Sequence, residues 1–153
     1  MNTVKFRRAT VCATVAGASA MAMVLGAPLA NAASETGWTG ATPPQQGKLF
    51  AHSSSISNNV GIVATTSIWN AIGTVNSAPY TLSVEARLFK SGVLCQSTGF
   101  VPNDTPTSHL SASTNGTGCG AGSYNSHGLV QTFDGNKDNT WVTFPTNPLD
   151  FAG

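Results

Sequence analysis

Residues 80–90 read YTLSVEARLFK, and this stretch is the clearest secondary-structure signal in the chain. Its apolar side chains fall at every second position: Leu82, Val84, Ala86 and Leu88. Polar side chains, including Glu85 and Arg87, fall between them. A period of two is typical of a strand with one face on a core and the other in water. The stretch predicts a half-buried antiparallel strand, with Glu85 and Arg87 facing solvent.

Residues on both sides of this strand predict more strands separated by turns. Ser91-Gly92 predicts a tight turn, and a returning strand that begins at Val93 completes a hairpin. Segments rich in Val, Ile, Thr and aromatic residues extend the pattern in both directions. The further predicted strands lie at residues 60–75, 109–112, 123–133 and 140–144. The proline-containing tail after residue 144 is predicted to leave the sheet.

About six to eight short strands, with no helical periodicity, predict an all-β fold. The first choice is a small antiparallel β-sandwich of the immunoglobulin-like kind, and an open barrel is the alternative. Residues 33–47 are rich in Thr, Gly, Pro and Gln, which predicts a flexible lead-in. Residues 48–153 then form a single β domain.

The first 32 residues have the three parts of an export signal. Three basic residues come first: Lys5, Arg7 and Arg8. An apolar run follows at residues 9–25, and Ala30-Asn31-Ala32 has the small residues of a signal-peptide cleavage site. The sequence predicts a signal peptide over residues 1–32 and a secreted, extracellular protein. Arg7-Arg8 raises the twin-arginine route as an alternative, but Phe6 and Ala9-Thr10 match such a signal poorly, so the general secretory route is favoured.

Charge disfavours two classes of partner. After the leader, four Lys and Arg residues remain against six Asp and Glu residues, and the basic ones are scattered. Such a chain has no basic stripe for nucleic acid and no polybasic patch for a membrane surface. We predict no nucleic-acid partner and no membrane association after signal cleavage.

Two cysteines remain beyond the leader, Cys95 and Cys119. In an oxidising compartment such a pair predicts one disulfide bond. The bond would close a loop of about 25 residues and stabilise the domain by roughly 3 kcal/mol. A zinc site that joins these cysteines to His109 and His127 is disfavoured, because the spacings match no compact zinc motif.

One loop resembles half of a calcium site. Asp134, Asn136 and Asp138 place oxygens at alternate positions, but Pro145 stands where such a loop needs its bidentate Glu. A hairpin turn is the favoured interpretation, since Asp, Gly and Asn are also turn residues. No metal or other cofactor is predicted.

The chain shows no catalytic signature. It lacks a Gly-x-Ser-x-Gly elbow, and the disulfide would consume the candidate thiols. The few carboxylates offer no clear pair for glycoside hydrolysis. We therefore predict a protein that is not an enzyme, with no catalytic residues.

Five aromatic residues are the candidate ligand platform: Trp38, Trp69, Tyr80, Tyr124 and Trp141. Aromatic rings on a sheet, beside Asn, Gln and Thr, can hold sugars or peptides. The leading hypothesis is a secreted non-catalytic interaction module that binds an extracellular polysaccharide, another polymer or a protein surface. One alternative is a secreted protease inhibitor that presents a disulfide-braced loop, such as residues 102–118. A small extracellular hydrolase is another alternative.

Three stretches resemble small secreted proteins of actinomycete-type bacteria: the leader that ends in Ala30-Asn31-Ala32, Val84–Lys90 with Leu94-Cys95 after it, and Ser123–Gly128. These proteins have no assigned function. The resemblance implies secretion and a β fold, and it transfers no site residue.

Overall fold

The computed structural model describes residues 32–153, so the predicted signal peptide lies outside the described residues apart from Ala32. This part of the chain contains strands and no helix, and therefore no helix that could span a membrane. The strands are β1 (Ser34–Thr36), β2 (Gly40–Ala41), β3 (Phe50–Ser57), β4 (Val63–Asn70), β5 (Leu82–Glu85), β6 (Arg87–Lys90), β7 (Val93–Ser97), β8 (Val101–Pro102), β9 (His109–Ser113), β10 (Gly122–Ser126), β11 (Leu129–Phe133), β12 (Asp138–Val142) and β13 (Leu149–Phe151).

The first layer is an antiparallel sheet built on the long hairpin of β3 and β4. The two strands pair over eight residues, from Phe50 opposite Asn70 to Ser57 opposite Val63. β1 and β2 pair with the outer side of β3, and β9 pairs with the outer side of β4. Burial alternates along β4, so every second side chain faces the second layer. We call this sheet the large sheet.

The second layer consists of two four-stranded sheets, in the orders β12-β11-β5-β8 and β13-β10-β6-β7. Leu129 of β11 pairs with Glu85 of β5, and Ser126 of β10 pairs with Leu88 of β6. The register is therefore the same on both sides of the gap between the two sheets. The layer is thus one antiparallel sheet whose two central strands are interrupted at Ala86 and at residues 127–128.

Buried hydroxyl groups account for the interruption. The backbone N–H of Gly128 donates to Ser54 Oγ (3.0 Å) and to Thr143 Oγ1 (2.7 Å). Ser54 also bonds the hydroxyls of Thr66 and Thr143. On the neighbouring strand, the Ala86 N–H donates to Thr98 Oγ1 at 3.0 Å. We call Ser54, Thr66 and Thr143 the internal hydroxyl cluster.

The internal hydroxyl cluster separates two apolar cores between the layers. One core contains Phe50, Ile68, Leu82, Val84 and Val130. The other contains Ile56, Ile62, Ala64, Leu88 and Tyr124. Each core joins side chains of the large sheet to side chains of the second layer. The predicted all-β, antiparallel architecture is confirmed, and the sheets do not close into a barrel.

Both ends of the described chain differ from the sequence-based expectation. Residues 34–36 and 40–41, expected in a flexible lead-in, are strands that hydrogen-bond to β3. Residues 149–151, expected outside the sheet, pair with β10. These pairings depend on partner strands that are distant in sequence, which local composition does not reveal.

Two strand predictions are corrected at the interruption of the second layer. The expected strand 80–90 is β5 and β6, and the expected strand 123–133 is β10 and β11. Glu85 points to the outer side as expected, but it is buried, with 7% exposure, rather than in solvent. Its carboxylate accepts hydrogen bonds from Arg87 Nε (2.7 Å) and Ser97 Oγ (2.6 Å).

Candidate functional site

The outer surface of the large sheet carries rows of hydroxyl groups. Because burial alternates along β3 and β4, the side chains of one parity point away from the core. The resulting outer set contains Ser53, Ser55, Ser57, Val63, Thr65, Ser67 and Trp69, and β9 adds His109, Ser111 and Ser113. We call this surface the hydroxyl face.

Strand register aligns the hydroxyl groups across the sheet. One row runs through Thr36, Ser55, Thr65 and Ser113. The next row runs through Ser53, Ser67 and Ser111. Neighbouring strands lie about 4.8 Å apart, which sets the spacing within a row. Thr65 Oγ1 and Ser113 Oγ are hydrogen-bonded at 2.7 Å, so these two side chains have a fixed orientation.

Trp69 lies at one end of the hydroxyl face. Its cross-strand partners are Ala51 and His109. Ala51 also points outward, yet it is only 7% exposed, so this end of the face is closely packed. Within the described residues, no Asp, Glu, Lys or Arg side chain belongs to the hydroxyl face. The face therefore combines the indole of Trp69 and the imidazole of His109 with rows of hydroxyl donors and acceptors.

The five predicted platform residues do not come together. Trp69 is half-buried on the hydroxyl face, and Trp38 is 82% exposed between β1 and β2 at the edge of the same sheet. Tyr80 is exposed in the turn before β5. Trp141 pairs with Val130 in the second layer and packs against the core. The structure therefore does not bring all five residues onto one surface.

Tyr124 in particular is a core residue with no exposed surface. Its ring packs edge-on to Phe151, with centroids 6.3 Å apart. Its hydroxyl accepts from the Cys119 N–H (2.8 Å) and donates to the carbonyl of Gly120. A tyrosine occupies this core because its polar tip satisfies the backbone of the loop above it.

We expect Tyr124→Phe to lower the free energy of unfolding by about 1–3 kcal/mol, because the Cys119 N–H would lose its partner. Urea unfolding followed by fluorescence measures the change. Tyr80→Phe is the matched control, since Tyr80 is exposed and should change stability by less than about 0.5 kcal/mol. Equal stability of wild type and Tyr124→Phe would contradict the role of this hydroxyl.

Comparison with known proteins does not indicate a function for this chain. No known protein family, curated protein or solved structure matches it. Its function is therefore inferred from the geometry and chemistry of the described residues.

The predicted disulfide between Cys95 and Cys119 is present. It joins β7, an edge strand of the second layer, to the loop before β10. Gly118, next to Cys119, lies so close to Ile62 that an added Cβ would come within 2.5 Å of Ile62 Cγ2. The bond therefore holds this loop over the core that contains Tyr124.

The loop at Asp134 is a turn whose carboxylate is already occupied. Asp134 Oδ1 accepts from the N–H groups of Asn136 and Lys137, and Oδ2 accepts from Asn139 Nδ2. These bonds, first that of Lys137, lower the pKa of Asp134 to about 2. Among residues 32–153, no three His, Cys, Asp or Glu side chains cluster as a metal site.

Residues 102–118, the predicted inhibitory loop, are not a free loop. They contain β9, which pairs with β4 along Thr65–Trp69. At the start of the segment, buried Asn103 accepts from the N–H groups of Thr81 and Leu82 and donates to the carbonyls of Ala78 and Thr105. The segment is therefore anchored to the large sheet along β9.

Two histidines are held in environments that disfavour their charged form. His52 is buried, its Nδ1 has no hydrogen-bond partner in the described part of the chain, and its burial lowers its pKa. His127 stacks on Phe89 with ring centroids 4.1 Å apart. Burial and then the charge of Arg87 lower the pKa of His127.

We expect the melting temperature to fall as the pH is lowered from about 7.5 to about 5.5. The unfolded chain protonates His52 and His127 near the ordinary pKa of 6.5, whereas the folded protein resists protonation. Acid therefore favours the unfolded state, from about pH 6.5 down to the lower pKa values of the folded protein.

Thermal melts across this pH range measure the slope. The double variant His52→Gln/His127→Gln should show a flatter profile than the wild type. A wild-type slope in the double variant would show that other groups cause the acid sensitivity.

Proposed function

We propose that this is an exported, non-catalytic protein that binds a neutral extracellular polysaccharide through the hydroxyl face. The observation that carries the proposal is the alignment of two uncharged hydroxyl rows beside Trp69. Polysaccharides present hydroxyl groups that both donate and accept hydrogen bonds, together with apolar ring faces. A surface of Ser and Thr side chains with one indole ring offers the complementary groups.

The spacing of the rows supports an extended polymer as the ligand. Within a row, the hydroxyl groups of neighbouring strands lie about 4.8 Å apart, which is close to the length of one pyranose residue in an extended chain. Several hydroxyl groups could then bind successive sugars of one chain. Each neutral hydrogen bond contributes only about 1 kcal/mol, so retention would depend on many contacts.

The absence of Lys and Arg from the hydroxyl face favours a neutral glycan over an acidic one. Acidic glycans are bound through Arg and Lys side chains, and the face carries neither. It also carries no carboxylate, so it has no group suited to the acid–base chemistry of glycoside hydrolysis. Binding without catalysis is the function that this composition favours.

Two further features support export. Residues 1–32 have the charge and hydropathy pattern of a signal peptide. The Cys95–Cys119 disulfide fits an oxidising compartment outside the cytoplasm. N-terminal sequencing of protein from the culture medium should give a chain that begins near Ala33.

We expect Trp69→Ala to weaken retention on a neutral insoluble polysaccharide by at least about tenfold, because the indole supplies the largest apolar contact area. The assay is sedimentation of purified protein with cellulose, chitin, insoluble xylan and insoluble β-glucan. Tyr80→Ala is the matched control, since Tyr80 is exposed but lies off the hydroxyl face.

A second variant separates hydrogen bonding from folding. Thr65→Val keeps the side-chain shape on the hydroxyl face and removes one hydroxyl, which should weaken retention by about fivefold. Melting temperatures of all variants show whether they are folded. Failure of the wild-type protein to sediment with any of these polymers, or equal retention of wild type and Trp69→Ala, would refute the proposal.

A further inference from the structure

A polar groove lies between the open edges of the two layers. It has a volume of about 550 Å³. Residues of β7 and its continuation form one wall, and the end of β9 with the residues after it forms the other. The lining residues are Cys95, Gln96, Ser97, Thr98, Ser113, Thr114 and Asn115. None of these side chains is charged, and apart from the disulfide sulfur all of them end in hydroxyl or amide groups.

Both walls present backbone groups to the groove. Thr114 N–H donates to the carbonyl of Ala64, and Thr98 N–H donates to that of Ala86. Backbone groups of successive residues in a strand point to opposite sides. The N–H and C=O of Ser113 and of Ser97 therefore point away from their partner strands, towards the open edges. The groove thus offers donors and acceptors on both sides.

Gln96 adds an acceptor without a partner. Its Nε2 donates to Thr117 Oγ1 at 2.8 Å, which fixes the orientation of the amide. Its Oε1 is buried and has no hydrogen-bond partner within residues 32–153. A buried carbonyl without a partner destabilises the free protein, and a ligand that donates a hydrogen bond would remove that cost.

We propose that this groove is a second subsite for the same neutral saccharide chain. The inference rests on the proposed function and adds the place on the protein to which the bound saccharide extends beyond the hydroxyl face. Ser113 belongs both to the hydroxyl face and to the groove wall, so a chain that crosses the row of Ser55, Thr65 and Ser113 reaches the groove directly. There, a rotation of the Gln96 side chain uncovers its buried Oε1, and a sugar hydroxyl donates to it.

The lining favours a saccharide over an extended peptide. Peptides that add to a sheet edge obtain specificity from pockets for alternate side chains. This groove has hydroxyl and amide walls and no apolar pocket of that kind. A saccharide, with a hydroxyl on nearly every carbon, matches such walls better.

The test is titration of the full exported domain with soluble neutral hexasaccharides of glucose, xylose, mannose and N-acetylglucosamine, followed by amide NMR shifts. We expect one of them to shift the amides of Ser97 and Ser113, and Gln96→Met to weaken this binding by about tenfold. Gln131→Met is the matched control, because Gln131 also donates to a threonine hydroxyl (Thr140 Oγ1, 3.0 Å) but lies elsewhere.

The outcomes separate this inference from the proposed function. Retention on polymer that depends on Trp69, without any oligosaccharide shift at the groove, would overturn the groove subsite and leave the proposed function intact. Equal affinity of wild type and Gln96→Met would also overturn it. Groove shifts caused by a blocked Val-Thr-Val-Thr peptide and by no saccharide would show a peptide site instead. If the wild-type protein binds neither the polymers nor the oligosaccharides, both proposals are refuted.

Discussion

We expect Gly128→Ala to destabilise the domain by about 3 kcal/mol, the upper end of the usual cost of overpacking a core. A Cβ at position 128 would lie 2.0 Å from Thr66 Oγ1 and 2.3 Å from the carbonyl oxygen of Glu85. Both atoms belong to the packed centre of the sandwich. Relief of the clash would separate the layers or break the bonds of the internal hydroxyl cluster.

Equilibrium unfolding in urea measures this effect. Gly73→Ala is the control, because an added Cβ there meets no atom within 4 Å and only the backbone angle φ of 74° is unfavourable. That strain costs about 1 kcal/mol. A smaller loss of stability in Gly128→Ala than in Gly73→Ala would contradict the close approach of the layers at residue 128.

We expect removal of the disulfide in the double variant Cys95→Ala/Cys119→Ala to cost about 3 kcal/mol. The melting temperature should fall by about 10 °C for a domain of this size. Loss of the bond increases the conformational entropy of the unfolded chain. In the folded protein, loss of the bond also loosens the loop before β10, which packs over Tyr124 and Ile62.

Melts of the wild-type protein with and without reductant give an independent measure. Reductant should lower the melting temperature of the wild type to that of the double variant and leave the double variant unchanged. Coincident wild-type melts under both conditions would contradict a stabilising disulfide. Hydrogen exchange should show the largest loss of protection at the amides of Cys119 and Tyr124.

The sequence predicted the strands with a clear period of two. Leu82, Val84, Ala86 and Leu88 are buried as expected, and residues 109–112 fall within β9. The interruption at Gly128 could not be predicted, because it depends on the hydroxyls of Ser54, 74 residues away, and of Thr143. The burial of Glu85 likewise depends on Ser97 from the returning strand.

The candidate site was only partly predictable. Trp69 was identified among the aromatic residues, but the hydroxyl face was not. Its signal is present in Ser53-x-Ser55-x-Ser57 and in Thr65-x-Ser67-x-Trp69, where the outward residues alternate with inward Ser54, Ile56, Thr66 and Ile68. Serine runs are common in turns, and only the register of β3 with β4 shows that these segments form aligned rows.

The large sheet ends on one side in β1 and β2, which are three and two residues long and are separated by residues 37–39. A β protein rich in Ser and Thr is exposed to aggregation wherever a long strand edge is open to another molecule. Here an incoming strand finds only short, discontinuous stretches of backbone. The interrupted border thus makes this edge of the large sheet a poor template for the addition of another strand.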